Sequence, residues 1–319
     1  MTIIITGANR GLGFEAARAL AADTNRTIVL TGRDLSGLEQ AANKLKAITG
    51  NNKLVPLQID LAALDSIRAF CISFRELVLP PLDTIICNAG VSLPTARRRS
   101  PDGYEETFAV NHLGHFLLVN LLIDSLQTPA RILFVSSGLQ NLEQTRGPLQ
   151  PPRYLKAEWL AYPERDSGLP VDDVIAGGQA YATSKLCNVL CAYEFARRLE
   201  ARRITVNAFD PGLVAGTGLG RQGKALMRFA WYYLLPFISR SLGFGRTPQQ
   251  AGADLAYLAS APELTGVTGK YFSGRKMIAS SAESYDPGKA ADLWQTSLIL
   301  SRLKPAETSL LKQVEMEQP

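Results

Sequence analysis

An apolar run that stops on a glycine-rich turn and restarts as a helix constrains this chain more than any other feature: TIIITGANRGLG, residues 2–13. Glycines at 7, 11 and 13 permit a sharp turn, the close approach of a bulky anion, and close contact between the following helix and the strand. The helix start adds unpaired amides and the positive end of a dipole. Gly7, Asn9, Arg10, Gly11, Leu12 and Gly13 are therefore candidate contacts for the pyrophosphate of a dinucleotide. A merely structural turn is the competing reading.

The rest of the chain keeps the same rhythm. Strand-like runs TIIIT, RTIVLTG, KLVPLQID, LDTIICNAG, RILFVSS, ITVNAFDPG and GKYFS alternate with helical patterns over 14–22, 35–48, 62–77, 103–126 and 179–202. Continuous hydrophobicity in the strands predicts burial on both faces, and hence an α/β fold with a doubly wound parallel sheet. One domain over 1–319 is expected, with a core over 2–275 and a helical extension over 276–319. Two stretches break the pattern: a Pro/Gly-rich insertion over 138–178 and an excursion over 213–246. Loops of that length in a compact domain usually carry function.

Composition narrows the function classes. The net charge is +5 and the pI about 9.0, but the basic residues are scattered apart from ARRRS and ARRLEARR. Without aromatic-basic interleaving, no nucleic-acid partner is expected. Cys71, Cys87, Cys187 and Cys191 show no metal-like spacing, so no metal and a reducing, cytoplasmic setting are expected. With TIIITG beginning at residue 2, a signal peptide before the first strand is not expected. The longest apolar run, ALMRFAWYYLLPFI, is cut by Arg228 and Pro236, and a membrane span is not expected.

Three strand ends bear on the cofactor. The second strand closes in TGRD; Arg33, with Arg10, suits a 2′-phosphate and predicts NADP(H), while Asp34 is the competing signal for an unphosphorylated ribose. Asp60 and Leu61 end the third strand, where the acid either meets an adenine amino group or caps the next helix. Asn88, Ala89 and Gly90 end the fourth; Asn88 can bond backbone while the small pair admits a ribose.

In YATSK, Tyr181 and Lys185 stand four apart, on one face of a helix. A cation there favours phenolate over phenol, which predicts a depressed Tyr181 pKa and a proton donor usable near neutrality.

TGANRGLG, NAG, NHLGHF, VSS, YATSK and DPG occur in the order found in the short-chain dehydrogenase/reductase family, which the chain resembles over about residues 2–275. The resemblance implies a Rossmann-type fold and an oxidoreductase. It implies a catalytic quartet: Asn111 anchoring a relay water, Ser137 holding the substrate oxygen, Tyr181 as acid/base, and Lys185 binding the nicotinamide ribose. Pro211, Gly212, Val214 and Thr217 match the loop over the nicotinamide and phosphates. NHLGHFLL and SKLCNVL most resemble the branch of retinol-dehydrogenase-type and light-dependent protochlorophyllide reductases.

The leading expectation is carbonyl or alcohol chemistry on a bulky apolar small molecule, because Trp231, Tyr232, Tyr233 and Phe237 lie in the excursion. The stretch 228–237 could instead touch a membrane surface or a partner. The alternative within the branch is reduction of a tetrapyrrole C=C bond. Cys187 coincides with a cysteine of the protochlorophyllide reductases, but Ser92 stands where they carry tyrosine. An NADP(H)-sensing protein without catalysis is a third reading, opposed by the intact quartet. His112 and His115 are read as packing or surface groups rather than metal ligands, and Ser136 as structural. Family members often pair through the tyrosine-bearing helix. Here the insertion and the cations Arg197, Arg198, Arg202 and Arg203 disfavour that pairing, so a monomer is expected.

Overall fold

A computed structural model describes residues 1–143, 149–214 and 245–311. Eight strands form one sheet: β1 (Thr2–Thr6), β2 (Thr27–Gly32), β3 (Leu54–Gln58), β4 (Leu82–Cys87), β5 (Leu126–Val135), β6 (Ile204–Asp210), β7 (Tyr271–Ser273) and β8 (Lys276–Ile278). Their order is β3-β2-β1-β4-β5-β6-β7-β8, parallel except for β8, which runs antiparallel to β7. The seven expected strands are present. β8 was not anticipated: three residues, all exposed, carry no periodic signal. Ile3, Ile4 and Ile5 are buried, as are Ile28, Val29 and Leu30, because helices cover both faces.

Among the described residues the longer helices are α1 (Gly11–Ala21), α2 (Leu35–Thr49), α3 (Leu64–Glu76), α4 (Gly114–Leu122), α5 (Ala157–Ala161), α6 (Asp173–Arg198), α7 (Pro248–Ser260) and α8 (Pro287–Leu300). α1, α2 and α7 share one apolar cluster with Ile3, Ile5, Ile28 and Leu30; α3, α4, α6 and α8 share the other with Ile4, Val29 and Ile85.

Two helices depart from expectation for local reasons. The helix expected over 103–126 is compound. Glu105 caps its first turn by accepting from the Thr107 and Phe108 amides at 2.9 and 2.6 Å. Residues Ala109–Leu113 then widen into a π-helical segment before α4. Such widenings turn side chains off the regular spiral and recur at functional sites. α6 starts earlier than residue 179 because Asp172 accepts from the Ile175 amide at 2.9 Å and caps it there.

The C-terminal extension is part of the core. Trp294 of α8 is buried, edge-on to Phe195 at 4.8 Å and to Phe116 at 5.0 Å. Asp292 accepts from the Ala157 amide at 2.8 Å and from the Tyr154 hydroxyl at 3.1 Å, fastening the insertion to α8. Arg68 reaches Glu307 at 2.9 Å. Among the described residues no helix is long and apolar enough to cross a membrane.

Candidate active site

The strand order reverses between β1 and β4, so a crevice opens beyond their C-terminal ends, the place where open α/β sheets bind ligands. The turn after β1 lines it. Gly7 and Gly11 have φ of 67° and 58°, a region that favours glycine. A Cβ on Gly13 would sit 2.5 Å from the Gly7 carbonyl oxygen, so only glycine lets α1 begin so close to the turn. A Cβ on Gly11 would meet open space, which leaves room beside the first amides of α1.

Asn88, at the end of β4, steadies this turn: its Nδ2 donates to the Thr6 carbonyl at 2.7 Å and to that of Gly7 at 3.3 Å. The Thr6 hydroxyl oxygen accepts from the Asn88 and Ala89 amides, both at 2.9 Å. It also lies 2.9 Å from His115 Nε2, while His115 Nδ1 lies 3.1 Å from the Asn111 carbonyl oxygen. A carbonyl only accepts, so Nδ1 carries the proton and Nε2 accepts from Thr6. His115 thus joins the glycine turn to Asn111. Burial holds its pKa down at about 4, and that of His112 at about 3. His112 packs between Phe108 and Phe116 with Nε2 2.8 Å from Ser297 Oγ. His112 is a packing group and His115 a buried hydrogen-bonding link, and among the described residues no group of three or more His, Cys, Asp or Glu side chains could hold a metal ion.

Arg10 and Arg33 are exposed at the crevice mouth. A Cβ on Gly37 would lie 2.6 Å from Asp34 Oδ2 and 3.3 Å from Asn9 Nδ2, so the glycine turn and the β2 end converge there. Asp34 is occupied as the cap of α2, accepting from the Gly37 amide at 3.1 Å. Asp60 Oδ1 accepts from the Ala62 amide at 3.0 Å within the turn before α3; it does not cap that helix, whose Leu64 amide bonds Asp102 at 2.9 Å, and Leu61 packs against Gly114.

The four expected catalytic residues arrive from three elements. The π segment carries Asn111, whose Oδ1 accepts from the Val91 amide at 2.7 Å and whose Nδ2 donates to Val91 O and Ser184 Oγ, both at 2.9 Å. Ser184 in turn donates to the Tyr181 carbonyl at 2.7 Å. α6 carries Tyr181 and Lys185, and Lys185 Nζ donates to the Val135 carbonyl at 3.0 Å. A Cβ on Gly90 would lie 3.3 Å from Asn111 Oδ1 and 3.4 Å from Lys185 Nζ, so the β4 end meets both. Ser137 follows β5 and caps a short turn through the Leu139 amide at 3.3 Å. Ser136 is structural, donating to the Lys185 carbonyl at 2.8 Å.

The expected depression of the Tyr181 pKa is not found. Although part of the residue borders solvent, burial pushes its hydroxyl up, and the charge of Asp210 pushes it further. Lys185 Nζ sits 5.6 Å from the ring centre, and its own burial lowers it to about 8. Dehydration outweighs the spacing argument.

Pro211, Gly212 and Val214 follow β6. Gly212 has φ of 73°, and the base of the excursion closes where Leu213 bridges Gly245. Thr217 and the aromatic stretch 228–237 lie outside the described residues. Cys187 is buried beside Tyr154, Glu283 and Asp292, on the α8 side of α6, and burial pushes its thiol well up. A cavity of about 50 Å³ lies between the insertion and α6, lined by Glu105, Phe108, Trp159, Thr183 and Ser184. Burial pushes Glu105 up to about 7 there. Sequence reading missed Thr6, His115 and Asp210 as parts of this site. Their partners are distant in the chain, and the only cue was polarity inside otherwise apolar runs.

The family model of short chain dehydrogenases matches residues 1–148. Protochlorophyllide reductase from Avena sativa is 35% identical over 312 residues, covering 92% of this chain and 97% of that protein. WW domain-containing oxidoreductase from Danio rerio is 35% identical over 310 residues, covering 96% of this chain and 70% of its own length. Among solved structures, an angucycline C-6 ketoreductase with bound NADP superposes with a TM-score of 0.62 at 22% identity, covering 86% of this chain and 93% of its own. L-sorbose reductase from Gluconobacter frateurii, complexed with NADPH and L-sorbose, gives 0.64 at 18% identity, over 88% and 95%. With the glycine turn, the β4 end and the tyrosine helix meeting at one crevice, the chain belongs to the short-chain dehydrogenase/reductase family of oxidoreductases.

Proposed function

We propose that this chain is an NADP(H)-dependent reductase or dehydrogenase that interconverts the carbonyl and alcohol of a bulky apolar small molecule. The observation that carries the reading is the meeting of Asn111 and Lys185 around Gly90, with the Tyr181 ring centre 5.6 Å from Lys185 Nζ and Ser137 at the end of the adjoining strand. The residues present fit the cofactor. The open space beside Gly11 at a helix N-terminus suits a pyrophosphate, and small residues at 89 and 90 suit a ribose. Asp34 spends its carboxylate on α2, which leaves Arg33 and Arg10 to select a 2′-phosphate.

When bound, NADPH supplies a hydride. Tyr181 then gives its hydroxyl proton to the substrate oxygen, and Ser137 Oγ donates a hydrogen bond to that oxygen. Lys185, which donates to the Val135 carbonyl at 3.0 Å, is the residue that would hold the ribose. Asn111, its side chain braced by Val91 and Ser184, would anchor a relay water. The apolar substrate follows from the sequence of 228–237.

Reduction of a tetrapyrrole double bond is the second reading, favoured by the protochlorophyllide reductases at 35% identity. Ser92 and the placement of Cys187 away from Lys185 oppose it. One experiment separates the two: NADPH consumption by the purified protein over apolar ketones, sugars and protochlorophyllide, in darkness and under light. Turnover of apolar ketones in the dark supports the first reading; product from protochlorophyllide under light alone replaces it. NADPH binding with no turnover anywhere points to the sensor.

A monomer is the matching assembly. The Arg153 amide bonds Thr183 of α6 at 2.9 Å, and α8 packs along the same helix, so the face used for pairing is covered. The arginines of this helix do not form a patch of like charge as expected, because Glu194 pairs with Arg197 and Arg198 and Asp124 pairs with Arg202. A dilution-insensitive tetramer in sedimentation would overturn this. Four buried free thiols agree with a cytoplasmic location, which cell fractionation tests.

A further inference from the structure

Lys185 and Asn188 lie one turn apart on α6, and both donate to a single oxygen. Lys185 Nζ reaches the Val135 carbonyl at 3.0 Å and Asn188 Nδ2 reaches it at 3.1 Å, with all three residues buried. Their spacing puts the two side chains on neighbouring positions of the helix surface, which explains how they converge. It does not explain why two donors are present. Lys185 alone satisfies the carbonyl, and Asn188 Oδ1 is left buried without a partner among the described residues. A buried unpaired amide oxygen is costly, and a leucine of similar size would avoid that cost.

The Val135 oxygen is not free to turn elsewhere. It shares a planar peptide group with the Ser136 amide, which donates to the Phe209 carbonyl at 2.7 Å. Ser136 Oγ is tied to the Lys185 carbonyl at 2.8 Å, and a Cβ on Gly138 would lie 3.4 Å from Asp210 Oδ2, so the chain leaving β5 is held beyond that peptide as well. The ammonium of Lys185 differs: it carries several donors on a flexible stem. It also lies where a Cβ on Gly90 would be 3.4 Å away, at the turn that suits a ribose. A second donor on Val135 is needed only when the ammonium turns its bonds to a ligand.

We propose that Asn188 is a positioning residue that keeps the Val135 carbonyl bonded while Lys185 turns to the nicotinamide ribose. Without the amide, engaging the ribose would strip a buried carbonyl of its last donor. This rests on the reading of Lys185 as the ribose ligand.

The test is calorimetric titration of wild type, Asn188→Leu, Lys185→Met and the double variant with two ligands. One is NADPH; the other is adenosine 2′,5′-bisphosphate, which lacks the nicotinamide ribose. Asn188→Leu should weaken NADPH about tenfold and leave the bisphosphate within about twofold of wild type. In the Lys185→Met background the same substitution should change NADPH affinity by less than about twofold, because no ammonium remains to be released. Equal losses for both ligands, or the same loss in both lysine backgrounds, would show a merely structural role and overturn the proposal. Unchanged NADPH affinity in folded Asn188→Leu would overturn it too; should that variant not fold, Asn188→Ala carries the same test. If Lys185→Met binds NADPH as wild type does, Lys185 is not the ribose ligand, and the functional reading of that residue fails together with the proposal.

Discussion

At the cofactor end of the crevice, Thr6, Asn88 and His115 bind backbone amides and carbonyls through short uncharged groups, and the turn they hold relies on Gly7, Gly11 and Gly13. At the other end, Tyr181 and Lys185 sit on a helix clasped from outside by the insertion and by α8, through Asp292, Tyr154 and Trp294. The first arrangement is made almost wholly of β1, β4 and the helix segment that follows. The second is held from outside α6, by Tyr154 of the insertion and by Asp292 and Trp294 of α8. Binding and proton transfer are thus served by separately supported regions, and substitutions should affect them separately.

The sharpest separation is Tyr181→Phe. It should cut turnover by about a thousandfold, in the range of a lost general acid, while NADPH affinity by fluorescence titration stays within about twofold. Considerable activity in that variant would break the comparison at its catalytic end.

Next in size is Trp294→Ala, which removes a buried ring from between Phe116 and Phe195 and should cost about 3–5 kcal/mol of stability in denaturant unfolding. A loss below about 1 kcal/mol would mean that α8 does not support α6.

The histidines predict the acid response. His115 has a folded-state pKa below its unfolded value of 6.5, so its neutral form stabilises fully above 6.5 and that contribution is lost as pH falls towards about 4. The amount is on the order of 3 kcal/mol, and His112 acts in the same sense. Glu105 acts oppositely: raised to about 7, it favours the fold below 4.5 and loses that contribution as pH rises through 7. Melting curves from pH 7 to 4 should show a shallower acid decline for His115→Asn than for wild type. Parallel declines would remove His115 from the comparison.

The smallest effect is at the mouth. Arg33→Ala should remove most of the preference for NADPH over NADH, about ten- to a hundredfold for a charge-assisted contact, with kcat nearly unchanged. Equal binding of both nucleotides by wild type would refute the assignment of Arg33.

The two ends also differ in how readable they were. Seven strands, the glycine turn and the tyrosine helix were legible because each announces itself within about ten residues. The π segment at Asn111 was not, since its widening depends on what α4 packs against; the sequence there reads as plain helix. Tyr181 shares a helix with Lys185 as its spacing implies, but its proton affinity runs opposite to what the spacing implies. Spacing reports which side chains share a helix face, whereas the titration depends on how much water the folded chain removes. Asp210 escaped for a similar reason. DPG reads as a loop with a matching proline and glycine, and only the fold brings its acid to Ser137.

The margins of the sheet have a consequence for how copies of this chain meet. A long bare strand at a margin invites another strand to hydrogen-bond to it and lets sheets grow from molecule to molecule. At one margin, β3 carries Pro56 opposite Leu30, so one outward donor is missing. At the other, the parallel series ends in β8, only three residues long, reversed in direction, and starting with an exposed lysine. A newcomer would find too few bonds at either margin, and at β8 a charge in its way. Both are devices that keep a sheet protein from polymerising through its strands.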